Sequence, residues 1–251
     1  HNGAGVHVDL VSDWLGELGL TEGDLRCGSH MPRDEAEHHR LIRAGAEPCQ
    51  LHNNCSGKHA GFLALTQHMR AGPEYVEPDH PLQLAVRAAF EEVTGETSPT
   101  FGIDGCSAPN FATSLTGLAR AMGFFASAHR RGGARDKAAA RLVRAMATHP
   151  VLVAGEGRAC TELMRAMGGR VAIKTGAEAV FVAILPEQEL GIALKVADGT
   201  TRGAECAIAT LLIRAGVLEA GHPAVKRFWN VPVVNCRGRT TGWIRPGTAL
   251  S

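Results

Sequence analysis

The stretch His52-Asn53-Asn54-Cys55-Ser56-Gly57-Lys58-His59-Ala60-Gly61 is unusually dense in reactive side chains. With Ser56 capping a helix, Cys55 sits at its positive N-terminal end, where the helix dipole and Lys58 both favour a thiolate. Lys58 and His59 follow Cys55 by three and four residues, on roughly the same helical face. Spacing alone nominates Cys55 and His59 as a zinc pair, because thiolate and imidazole are usual zinc ligands. Lys58 would have to become a neutral amine to bind a metal, which burial or the metal itself can bring about. The plainer alternative is an inert cysteine buried near a helix start.

Two further motifs carry chemistry. Asp104-Gly105-Cys106, with Gly102 just before it, places an acid and a second thiol in a turn whose glycines suggest strain or close approach. That thiol supplies the partner a metal site needs; the alternative is a turn with an incidental cysteine. Lys174-Thr175-Gly176 closes a strand, and Lys-Thr-Gly on a strand edge is one element of the serine β-lactamase and penicillin-binding set. The Ser-x-x-Lys nucleophile of that set is absent from the chain, and Cys55-x-x-Lys58 is the nearest approximation. His30, His38 and His39 read as exposed loop histidines. Gly155-Glu156-Gly157 lacks the Lys-Ser/Thr of a phosphate loop, and Cys160, Cys206 and Cys236 read as buried thiols in apolar settings.

The elements that must position these groups follow from periodicity. Apolar residues at Val6, Leu10, Val11, Trp14, Leu15 and Leu18 predict a helix. A short helix is expected over 34–44, started by Asp34 or Pro32. The segment 57–69 reads as a helix burying Phe62, Leu63 and Leu65, and 81–93 as another, ended by Gly95. Residues 102–110 read as a turn-rich loop, followed by helices over 111–122 and 137–149. Then the period changes. Residues 170–174, 179–185 and 191–196 read as strands, with a tight turn at 186–189, and 203–215 as a helix covering a small antiparallel sheet. The tail beyond Asn230 shows strand-like pieces.

With 251 residues, 45% hydrophobic and 20% charged, the chain can bury a full core as a single domain over 1–251. Its 26 basic and 25 acidic residues leave a net charge of +1, which excludes the basic excess that nucleic acid or an anionic membrane would select. A small-molecule or protein partner is the better match. No apolar run approaches the ~20 residues of a membrane span. Seven scattered cysteines, an odd number, suit thiols in a reducing cytoplasm better than a disulfide framework.

Taken together, His52–Gly61, Gly102-Ile-Asp-Gly-Cys106 and Lys174-Thr-Gly-Ala-Glu178 resemble the rhizobial-type (class 3) L-asparaginases of the asparaginase II family. The likeness continues through His149-Pro-Val-Leu-Val-Ala-Gly155, Leu163-Met164 and Gly191-Ile-Ala-Leu-Lys-Val-Ala-Asp-Gly199, from Val6 to about Leu218. Ala179 departs from it, standing where glycine is more usual. The resemblance implies an α/β fold like that of serine β-lactamases and penicillin-binding proteins, an antiparallel sheet covered by helices, in a cytoplasmic homodimer. It implies hydrolysis of L-asparagine to L-aspartate and ammonia by a serine nucleophile, helped by lysines in two Ser–Lys pairs, beside a zinc ion. Carried onto this chain, the zinc ligands are Cys55, Lys58 and Cys106, the second pair's lysine is Lys174, and Asp104 and His59 serve the substrate pocket. Both serines of the family would fall before His1, so the N-terminal part of the fold is expected to be missing. Two alternatives stand beside this reading: an inactive, truncated zinc-binding member, and a broader penicillin-recognising serine hydrolase.

Overall fold

The structure, a computed structural model, describes residues 1–250. It separates into two compact units, His1–Thr113 and Ser114–Ser251.

The first unit is four helices and a hairpin: α1 (Gly5–Glu17), α2 (Glu35–Ala44), α3 (Ser56–Met69), α4 (Pro81–Thr94), β1 (Phe101–Ile103) and β2 (Pro109–Phe111). Local signals set most boundaries. Asp34, not Pro32, starts α2, its carboxylate accepting the Glu37 N–H. Pro81 opens α4, where a missing N–H is harmless, and Gly95 closes it at φ 67°. α1 buries His7, Val11 and Leu15, whereas Val6, Leu10 and Trp14 remain exposed. The two sets are one residue, or ~100° of helix, apart, so the apolar stripe is wider than the face that packs. On α3, Leu63 is buried, but Leu65, expected beside it, is exposed. Val11 and Leu15 pack with Leu25, Ala60, Leu63, Tyr75, Leu82, Cys106 and Ala108 in the core of this unit.

The second unit contains α5 (Leu115–Ser127), α6 (Ala134–Thr148), α7 (Pro150–Ala154), α8 (Ala159–Ala166), β3 (Ala172–Thr175), β4 (Val180–Leu185), β5 (Leu190–Lys195), α9 (Thr201–Arg214), β6 (Val231–Val234) and β7 (Thr240–Ile244). Strands β3, β4 and β5 form an antiparallel sheet in sequential order. Strand pleating sends alternate side chains to opposite faces. Ile173, Phe181, Ala183 and Leu185 join residues of α8 and α9 in one core cluster. Ala172 and Ile184 join Ala126 of α5 and Val143 and Ala147 of α6 in another. Helices therefore cover both faces of the sheet, where the sequence suggested one covering helix. The strand-like tail forms its own hairpin, β6 with β7, containing an irregularity between Val233 and Val234. Among the described residues no helix is long and apolar enough to cross a membrane.

Candidate metal and substrate site

In the first unit, the approach to α3 is held by side chains. Asn53 donates to the carbonyls of Cys27 at 2.8 Å and Gly28 at 3.0 Å, and its Oδ1 accepts the Cys55 N–H at 2.8 Å. His30 is no idle surface residue, for its Nε2 accepts the Asn54 N–H at 3.1 Å. The expected cap is corrected: α3 starts at Ser56, and Cys55 occupies the cap position without a side-chain cap bond. Ser56 is buried, its hydroxyl donating to Leu51 O at 3.0 Å.

Strands β1 and β2 carry the other half. What sequence reads as a loop is a three-residue ladder on each side of a turn. The turn closes by Ser107 N–H to Asp104 O at 2.9 Å and Asp104 N–H to Ala108 O at 2.9 Å. Its one left-handed residue is Ser107, at φ 71°, while Gly102 and Gly105 have open space where a Cβ would stand. The glycines therefore do not dictate the turn. Asp104 Oδ1 accepts the Gly105 N–H at 2.7 Å, and Oδ2 lies 3.7 Å from Cys106 Sγ and 4.0 Å from Lys58 Nζ.

The helix start and the hairpin turn thus converge. One ligand atom each from Cys55, Asp104 and Cys106 lies within 4.8 Å of the others. Lys58 Nζ donates to Cys106 Sγ at 3.1 Å. The thiols share a proton unequally. Cys55 donates to Cys106, and this bond, aided by His59, the Ala108 N–H and Lys58, pulls Cys106 well below the ordinary thiol range despite its burial. The same bond, with burial, pushes Cys55 up, opposed by Lys58. Two thiols, an amine and a carboxylate form a mixed donor set suited to a borderline-soft ion such as Zn²⁺.

His59 is fully buried behind this cluster. Its Nδ1 lies 2.9 Å from the Tyr75 hydroxyl, which accepts the Arg26 N–H at 2.7 Å. The Tyr75 hydroxyl thus joins the imidazole to the Arg26 main chain. Nε2 is near enough to favour the Cys106 thiolate, yet it makes no hydrogen bond of its own. Nε2 is therefore a buried polar atom without a partner among the described residues. Sequence reasoning missed Tyr75, the only tyrosine in the chain. It lies outside every motif, and only the fold brings it to His59. Tyr75→Phe strips Arg26 N–H and His59 of their partner and is expected to destabilise the protein by about 1–3 kcal/mol in urea unfolding.

Lys174 belongs to the second unit. It sits on β3 opposite Val182, its ammonium donating to Thr175 O at 2.5 Å. The Thr175 N–H bonds to Cys160 Sγ at 3.3 Å. Burial pushes the Cys160 thiol up, with the charge of Lys174 opposing. Cys160 and Cys206 are buried as sequence suggests, but Cys236 is exposed, in the turn after β6. All seven cysteines are free thiols.

The family model described as L-asparaginase II matches residues 1–246. A comparison with curated proteins finds no match.

Proposed function

The chain belongs to the L-asparaginase II family, and from that premise we propose that it hydrolyses the side-chain amide of L-asparagine by Ser–Lys acyl transfer beside a zinc site. By family it is an L-asparaginase. The observation that carries the reading is the convergence of Cys55, Lys58, Asp104 and Cys106 from two separate motifs in a chain of this family.

In this reading a serine attacks the side-chain carbonyl and Lys174 accepts its proton, then returns it to the leaving ammonia. Backbone amides bind the oxygen that gains charge in the tetrahedral intermediate. Asp104, whose side chain is 39% exposed, offers a carboxylate to the substrate's α-ammonium group. His59, held by Tyr75, favours the Cys106 thiolate from the buried side. Zinc held by Cys55, Lys58 and Cys106 would supply Lewis-acid polarisation of the substrate or fix the shape of the pocket. The thiol pair that already shares a proton, with Lys58 Nζ 3.1 Å from Cys106 Sγ, supports that assignment.

A substrate panel on the full-length protein tests the function. Ammonia release from L-asparagine, with no turnover of a penicillin or a peptide ester, is the expected result; the reverse profile removes the reading in favour of a penicillin-type hydrolase. Metal analysis tests the ligands. Lys58→Ala is expected to lower zinc occupancy severalfold, and His59→Ala to leave it near that of the parent protein. The opposite pattern would restore Cys55 with His59 as the zinc pair.

A further inference from the structure

The first unit holds a second reactive constellation, made of residues other than the proposed metal ligands. Cys49 is half-buried and precedes a short 3₁₀ turn, Gln50–His52, that folds the His52 ring back onto it. His52 Nδ1 accepts the Cys49 N–H at 3.1 Å and lies 3.3 Å from Cys49 Sγ. Since an amide N–H can only donate, Nδ1 carries the lone pair and the ring proton sits on Nε2. Nε2 donates to Glu37 Oε1 at 3.2 Å. Glu37, on α2, is only 7% exposed, and Arg40 grips it twice, at 2.9 Å to Oε2 and 2.6 Å to Oε1. Arg40 first, and His52 second, hold its carboxyl below the usual carboxylate range despite burial.

Nucleophile, base and orienting carboxylate are thus in line, the arrangement that activates a thiol. A metal does not suit it, because the two ring nitrogens point at different partners. Acyl transfer does not suit it either. The Cys49 N–H, the amide best placed to stabilise an oxyanion on a carbonyl attached to this sulfur, is already bonded to His52. An electrophile whose leaving group needs only a proton makes no such demand.

We propose that Cys49 is a redox-modification site, a thiol activated by His52 and oriented through Glu37 that a small hydroperoxide oxidises to a sulfenic acid. The thiol proton passes to His52 Nδ1 in place of the Cys49 N–H hydrogen bond there, and the sulfur electron pair attacks one peroxide oxygen. The S–O bond forms as the O–O bond breaks, and the departing hydroxide, or alkoxide from an organic hydroperoxide, takes the proton from His52 and leaves as water or alcohol. Sulfur is oxidised by two electrons and the peroxide reduced by two. This site is independent of the asparaginase reading and stands or falls apart from it.

Cys236 provides an internal reference, being exposed and without a hydrogen-bond partner among the described residues. The full chain is treated with hydrogen peroxide, sulfenic acid is trapped with dimedone, and adducts are mapped by mass spectrometry. Cys49 is expected to be trapped at least ~10-fold faster than Cys236 in the native protein and at a similar rate in denaturant. His52→Gln is expected to slow trapping at Cys49 by ~10-fold or more and leave Cys236 unchanged. Equal native rates at the two thiols, or an unaltered Cys49 rate in a folded His52→Gln protein, would overturn the proposal. Should that variant not fold, the native-to-denatured ratio in the parent protein decides alone.

Discussion

Lys174→Ala is expected to lower ammonia release from L-asparagine by the full-length protein by about 10³-fold or more, the loss typical of removing one member of a nucleophile–base pair. The backbone of β3 explains why the loss would be chemical. Lys174 pairs with Val182 through main-chain atoms, and its neighbours Ala172 and Ile173 supply the burial in the two cores. Shortening an only half-buried side chain leaves those interactions in place, so the unfolding midpoint should move by no more than a few degrees. Lys174→Arg should be as inactive, because a guanidinium keeps its proton at any working pH. A variant that retains more than about a tenth of the parent rate would remove Lys174 from the chemistry.

Gly191→Ala is expected to destabilise the protein by about 3 kcal/mol or more, the upper end for overpacking a core. In the second unit α5 lies across β5 so closely that a Cβ on Gly191 would stand 2.2 Å from Gly123 N, 2.3 Å from Ala119 O and 2.6 Å from Met122 C. These are main-chain atoms of a helix, which cannot swing aside as a side chain can. The helix would have to lift from the sheet, weakening the layer that buries Ala126 and Ile184. The expected reading is a fall in Tm of roughly 6–12 °C by thermal unfolding, given about 2–4 °C per kcal/mol for a chain of this size. An unchanged Tm would mean that α5 is not held against β5 at this point.

Both residues were visible in the sequence, one as part of Lys-Thr-Gly and the other inside the motif Gly191–Gly199, but only the fold shows why the second must be glycine. The long helices were legible because Asp34, Pro81 and Gly95 mark their ends, and the central strands because Val180–Leu185 and Leu190–Lys195 are long enough to show a pattern. β1 and β2 were read as a loop since three residues carry no period. The five-residue α7 and the eight-residue α8 went unseen for the same reason. At the site, spacing nominated Cys55 with His59, and the family resemblance brought Lys58, Asp104 and Cys106 to it; the structure does bring Cys55, Lys58, Asp104 and Cys106 together. What sequence withheld was the buried partners of the two histidines in His52–Gly61. Tyr75 reaches His59 across sixteen residues, and Glu37 reaches His52 across fifteen. Neither separation fits a helical or strand period, so no spacing rule could have joined them.

Product analysis of the full-length protein with L-asparagine, zinc supplied, tests the proposed hydrolysis most directly. Ammonia and L-aspartate are predicted to appear one for one, and to vanish together in Lys174→Ala. A folded protein that binds the supplied zinc and yet forms neither product would contradict the proposed activity and leave a metal-binding member of the family without turnover.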